Sequence, residues 1–165
     1  GLREGRAEDL PFRSGWFERA VLSLVVHLVD RPRAFAEAAR VLAPGGRIAI
    51  ATFAPDHFDA LWLSPWFPSL ASIDRSRFPA PETLERELAT AGFAGVRARR
   101  VSSRTELSRE EALARVRGRH ISTFDLLDPD ELAVGTARLE AELAGPVVSR
   151  LEQLVLAAEL ANRAA

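Results

Sequence analysis

Cysteine, methionine, lysine and tyrosine are all missing from this 165-residue sequence. Without cysteine there is no disulfide framework, no thiol nucleophile and no cysteine metal site. Basic charge rests on arginine alone, and 22 basic against 23 acidic residues leave a formal net charge of −1. No basic excess marks nucleic acid as a partner. No apolar run approaches the ~20 residues of a membrane span, and no secretory signal pattern stands at the start of the sequence. The single Asn, the single Gln and the exclusive use of Arg read as the bias of a GC-rich genome. The expected compartment is a bacterial cytoplasm, with no membrane or nucleic-acid partner. Glycine is sparse in one telling way: no G-x-G occurs, and Gly45-Gly46 is the only adjacent pair. That absence counts against a dinucleotide-binding fingerprint.

What is present begins with a core. Hydrophobic residues make up 47% of the chain, enough for one domain of ordinary size. The stretch Phe17 to Phe53 organises it. Ala20 to Val26 is a continuous apolar run, the pattern of a parallel strand buried on both faces. Asp30 precedes Pro32 and caps a helix start. Phe35, Ala38, Ala39 and Leu42 follow at helical spacing, and Pro44, Gly45 and Gly46 stop the helix. Ile48 to Phe53 is a second β-rich run. Strand, helix and strand in about 35 residues form a right-handed crossover between parallel strands.

Together with Gly5-Arg6-Ala7-Glu8-Asp9-Leu10-Pro11-Phe12, this stretch resembles the middle of a class I S-adenosylmethionine-dependent methyltransferase, in the subgroup of ubiquinone/menaquinone methyltransferases. The matching residues are Ala7-Glu8, Leu10-Pro11-Phe12, Phe17-Glu18, His27, Glu37 and Arg40-Val41-Leu42-Ala43-Pro44-Gly45-Gly46. The resemblance implies an α/β Rossmann-like fold, a mostly parallel sheet with an antiparallel C-terminal strand. It implies S-adenosylmethionine as cofactor and a small molecule as methyl acceptor. In the family a glycine-rich loop precedes this stretch. It is absent from these 165 residues, so the resemblance implies a domain incomplete at its N-terminus. The unpaired edge of the first strand points the same way, or else to a second chain, as in a homodimer, covering that edge.

The resemblance also nominates site residues. Arg6, Ala7, Glu8 and Leu10 lie in the loop that meets the adenine in the family. Arg6 stands where the family has an Asp, and Arg offers no acceptor; Glu8 is the nearest substitute, and Ala7 keeps its backbone contact. Pro11 and Phe12 join Leu10 as the pocket wall. Ser23, Leu24 and His27 fall at the carboxyl end of the first strand, where open α/β sheets bind ligands. His27 is the candidate general base, although a pocket-lining or structural role is preferred. Glu37 and Arg40 read as an i,i+3 pair on a solvated helix face.

Beyond Phe53 the pattern changes. Residues 54–81 hold Phe58, Trp62, Trp66, Phe67 and Phe78 among several prolines. This reads as a lid or substrate-pocket wall, or equally as a hydrophobic loop packed on the sheet or at an interface. Asp56, His57 and Asp59 do not have metal-site spacing, and no metal is expected. A helix from Pro81 to Ala91 has Leu84 and Leu88 inward and stops at Gly92. Phe93 to Val101 is a strand whose Arg97, Arg99 and Arg100 suit a sheet edge. A capping box, Ser108 to Glu111, starts a helix at Leu107 to Arg117. Arg115, Arg117, Arg119 and His120 then cluster, and the resemblance makes Arg119 and His120 substrate-side residues beside Trp62 and Trp66, suited to a carboxylate or phosphate. Asp128-Pro129-Asp130-Glu131 starts a further helix, its apolar stripe Leu132, Leu139 and Leu143. Leu151 to Leu160 is ambiguous by composition; the resemblance places the antiparallel strand at Gln153 to Ala158, between its two predecessors. The expectation is one methyltransferase domain over 1–165, with 54–81 and 103–146 as lid and substrate-side insertions. A non-catalytic binding or dimerisation module is the alternative.

Overall fold

The structure, a computed structural model, describes residues 2–161. Two compact units emerge, one of residues 1–54, 78–101 and 153–165, the other of 55–77 and 102–152.

The first unit is a sheet with helices. β1 (Phe17–Ser23) runs parallel to β2 (Leu42–Phe53), and β4 (Val147–Leu160) lies antiparallel beside β2. The strand order is β1-β2-β4-β3, with β3 spanning Phe93–Leu107. The last strand in sequence therefore sits between its two predecessors, as the resemblance implies. It is longer than Gln153–Ala158, and it settles the ambiguity of Leu151 to Leu160 in favour of strand. The reason is tertiary: Leu154, Leu156 and Ala158 alternate onto the buried face opposite Thr52, Ile50 and Ile48, a period-2 pattern that Glu, Gln and Ala propensities obscure.

α1 (Arg31–Val41) closes the crossover. The Asp30 side chain accepts the Arg33 N–H, and Pro32 falls in the first turn, as expected. Helix passes directly into strand at Leu42. The Pro-Gly-Gly segment does not end an element; it makes an excursion within β2, because the register runs from Phe17↔Leu42 to Arg19↔Arg47. Gly45 has φ 73° there, a conformation that other residues adopt only under strain. Ala34, Phe35, Ala38 and Val41 are buried. Phe35 and Ala38 pack with Ile48, Ile50, Leu154 and Leu156, and with Leu84 and Leu88 of α3 (Pro81–Thr90). Each such Phe, Ile or Leu side chain contributes roughly 1.5–3 kcal/mol. Arg31 donates to both Glu87 carboxylate oxygens, at 2.8 and 3.0 Å, and ties α1 to α3.

One expectation is corrected. The apolar run Ala20 to Val26 is not a strand buried on both faces. β1 stops at Ser23, stands at the end of the strand order, and leaves Val21 72% exposed. Val26 is fully buried, but from the loop beyond the strand. The run joins a half-open edge strand to a buried loop, and composition alone does not separate the two.

The second unit has its own core of Leu63, Phe67, Leu70, Leu107, Leu113, Val116, Phe124 and Leu139. The segment expected as a Pro-broken loop holds a 3-10 turn (Pro55–Ala60) and α2 (Leu70–Arg77). α4 (Arg109–Arg117) starts at the anticipated capping box, both hydrogen bonds being formed. α5 (Pro129–Glu142) is capped by Asp128. Gly135 lies where α5 meets the Trp66–Phe67 backbone and ring; a Cβ there would stand 2.5 Å from the Trp66 carbonyl oxygen.

Candidate functional site: the loop clamped by the first helix

Residues 6–12 form a short loop closed by a bridge between Arg6 and Asp9. Its position is set by α1. Arg40 donates from Nη1 to the Phe12 carbonyl at 2.8 Å and from Nη2 to the Leu10 carbonyl at 3.1 Å. Glu37 accepts the Leu10 N–H at 2.7 Å and holds Arg40 through two hydrogen bonds of 2.8 and 2.6 Å. The pair is therefore not the solvated-face pair expected from its spacing. The Glu37 side chain is only 14% exposed, and the Arg40 guanidinium holds its carboxyl down to about 2. Carbonyls and an N–H that no ladder pairs find their partners in one fork of charge. Glu37 and Arg40 stand three apart on one helix face, so the sequence held the signal for a pair but not for its third party, the loop.

The same loop reaches the start of α1. Glu8 Oε1 accepts the Asp30 N–H at 2.9 Å, and its other oxygen lies 3.6 Å from Arg6. That backbone hydrogen bond is the main reason the Glu8 carboxyl titrates below its usual range. Glu8 thus fastens the loop to the start of α1. Arg6 is largely exposed. The N–H groups of Asp9 and Leu10 are used within the loop and by Glu37, whereas the Ala7 N–H meets no acceptor among the described residues. Phe12 stands edge-on to Phe17, centroids 4.9 Å apart, with Trp16 beyond.

Ser23 ends β1 and Leu24 follows with φ 51°, its N–H donated to the Ala51 carbonyl. A Leu in this left-handed conformation is strained, and such strain gathers where backbone is turned toward a ligand. His27 stacks on Phe78, centroids 4.0 Å apart and planes 23° from parallel, with Phe53 against Phe78. Its ring is held by aromatic packing. Arg6, Ala7, Glu8, Leu10, Ser23, Leu24 and His27 all fall in the sheet unit.

Trp62, Trp66, Arg119 and His120 fall in the helical unit. The two Trp rings meet at 6.5 Å, and Trp66 Nε1 donates to Glu142 at 3.0 Å. Arg119 has φ 46° and pairs with Asp125 at 3.0 Å. His120 lies 3.0 Å, through Nδ1, from the Arg115 carbonyl, and burial pushes its pKa below the usual imidazole value. Among the described residues no three His, Asp or Glu side chains group as metal ligands, and no helix is long and apolar enough to cross a membrane. Two features escaped sequence reasoning: the clamp from Glu37 and Arg40, and a buried carboxylate, Asp74, on α2.

Residues 1–50 match the family model described as a methyltransferase domain. The O-methyltransferase cnsE of Penicillium expansum is 35% identical over 88 residues, which cover 53% of this chain and 31% of that protein. The ubiquinone/menaquinone biosynthesis C-methyltransferase UbiE of Paracoccus denitrificans is 33% identical over 118 residues, 59% of this chain and 47% of that protein. The chain thus spans about a third to a half of the curated relatives it matches. A crystal structure from Anabaena variabilis, named as a methyltransferase from an antibiotic biosynthesis pathway, superposes with a TM-score of 0.64 at 21% identity, covering 92% of this chain and 70% of that one. Residues 1–50 thus resemble a methyltransferase domain, and the described residues share the class I methyltransferase fold.

Proposed function

We propose that this chain belongs to an S-adenosylmethionine-dependent methyltransferase acting on a small molecule. The observation that carries the reading is the clamped loop within the matched residues, in which the Ala7 N–H meets no acceptor among the described residues. That donor fits an adenine ring nitrogen, and Leu10 and Phe12 fit a flat apolar neighbour. Arg6 supplies no acceptor for an adenine amino group, and Glu8 is already tied to Asp30, so the backbone supports recognition more than the side chains do. When bound, the cofactor supplies an electrophilic methyl group on a sulfonium. This chain's part is to bind and orient. Glu37 and Arg40 hold the loop rigid, Ser23 and Leu24 shape the strand end, and His27, packed on Phe78, lines the pocket. Fixed geometry suits an in-line displacement, whose rate depends on alignment. A base is required only for weakly acidic acceptors.

The test is binding and transfer with the protein at its natural length. Saturable binding of radiolabelled S-adenosylmethionine that is weakened at least fivefold by Glu37→Ala, with label passing to a small acceptor, supports the reading. No binding at millimolar cofactor sinks it. A second reading has its own observation: β1 is outermost in the strand order with Val21 exposed, which suits a non-catalytic module that dimerises through this edge. Sedimentation showing a dimer without cofactor binding moves that reading ahead. Cytoplasmic location is proposed on composition alone.

A further inference from the structure

Several arginines of the helical unit are paired: Arg75 with Asp59, Arg77 with Asp74, Arg117 with Glu140, Arg138 with Glu142. One cleft is lined by two that are not. It has a volume of about 370 Å³ and lies wholly in this unit, between the 3-10 turn Pro55–Ala60 and the adjoining ends of β3 and β4. Its lining includes His57, Ser102, Ser103, Arg104, Arg150 and the apolar Leu151. Two carboxylates, Asp56 and Glu152, are also in the wall, but each is engaged within the protein. Arg104 and Arg150 are not: neither has an ion-pair or hydrogen-bond partner among the described residues. Ser102 and Arg104 share one face of β3 by strand alternation, so a hydroxyl and a guanidinium are offered side by side.

Both guanidinium groups are exposed and line the same cleft, so an anion bound in it is attracted by both. Guanidinium and hydroxyl groups are the donors that recognise planar or tetrahedral oxyanions. The cleft lies at the small end of ligand-pocket volumes, and its mixed wall suits a short apolar body with an anionic head. We propose that this cleft is a binding site for a small oxyanion, the carboxylate or phosphate head of an organic molecule, held by Arg104 and Arg150. Its residues belong to the helical unit and the clamped loop to the sheet unit, and the proposal does not depend on the methyl-transfer reading. It is also distinct from the Arg119–His120 pair expected to hold such a group, because Arg119 is already neutralised by Asp125.

His57 gives the readout. Its Nδ1 accepts the Glu152 N–H at 3.3 Å, so the ring proton sits on Nε2. Burial lowers its pKa, against the raising effect of Glu152 and Asp56. A bound anion adds negative potential and raises it. The experiment is an NMR titration of the His57 ring resonances, with inorganic phosphate in one arm and butyrate in the other. The expected result is a saturable shift with at least one anion and a His57 pKa that rises on binding. Arg104→Gln and Arg150→Gln each weaken binding about tenfold, the loss expected for one charge-assisted hydrogen bond. Arg150→Lys recovers part of it. Phosphate alone, butyrate alone, or both, assigns the head group and supports the site. No saturable shift with either anion, or unchanged affinity in both glutamine variants whose spectra remain folded, overturns it.

Discussion

In the sheet unit, stability rests on a periodic apolar face: Ile48 and Ile50 on β2 against Leu154, Leu156 and Phe35, with ladders satisfying the backbone. In the helical unit the central feature is polar. Asp74, 4% exposed, accepts the Thr123 hydroxyl at 2.5 Å and pairs with Arg77 at 3.4 Å, while Arg77 also reaches Thr123 and Ser122. Burial raises the Asp74 pKa, opposed by Thr123 and Arg77. Short helices and 3-10 turns have few ladders of their own, so a shared ion pair fixes where α2 meets the Ser122–Leu126 turn. The difference teaches that a sheet unit tolerates loss of a contact by degrees, whereas the helical unit hangs on a network that is costly when half removed.

The three tryptophans allow each unit to be read alone, since Trp16 lies in the first and Trp62 and Trp66 in the second. Arg77→Met leaves Asp74 buried without its cation and is expected to cost about 4 kcal/mol. Urea unfolding followed by Trp62 and Trp66, in a Trp16→Phe background, should show the loss; an equal shift at Trp16, read in a separate background with Trp62→Phe and Trp66→Phe, would mean that the two units unfold as one. The penalty should shrink as pH falls and Asp74 takes up a proton. Ile50→Ala opens a cavity in the sheet unit at about 3 kcal/mol, read at Trp16; a loss below 1 kcal/mol would say that the face repacks freely. Gly135→Ala sets two effects against each other. Alanine favours the helix by about 1 kcal/mol, but overpacking against the Trp66 carbonyl and Phe67 ring costs about 1–3 kcal/mol. Contact at 2.5 Å decides for net destabilisation, and a stabilised variant would show that α5 is loosely packed. The smallest effect is Glu37→Gln. The folded pKa of Glu37, about 2, lies below its ordinary 4.5. Its stabilisation is thus present above pH 4.5 and lost as pH falls toward 2. The stability gap between wild type and Glu37→Gln should therefore narrow between pH 5 and pH 2.5, and a gap independent of pH would assign the clamp to geometry rather than charge.

Which features the sequence disclosed follows from how local their causes are. Asp30 before Pro32, the box Ser108 to Glu111, and Asp128 before Pro129 each act within one helical turn, and each helix begins where its cap stands. The crossover from β1 through α1 to β2 was legible for the same reason, and the place of the final strand followed from the family pattern. The unpaired edge of β1 was expected, but the exposure of Val21 was not legible, since an apolar run looks the same whether its second face is covered or open. Nor was the role of Glu37 and Arg40, whose partners Leu10 and Phe12 stand 27 and 28 residues away. The sequence by itself determined the capped helices and the crossover, because those depend on neighbours within a few residues. Only the tertiary structure decided which charges are clamped, which are buried in pairs, and which arginines line one cleft together. Such pairings join residues distant in the chain, and spacing carries no record of them.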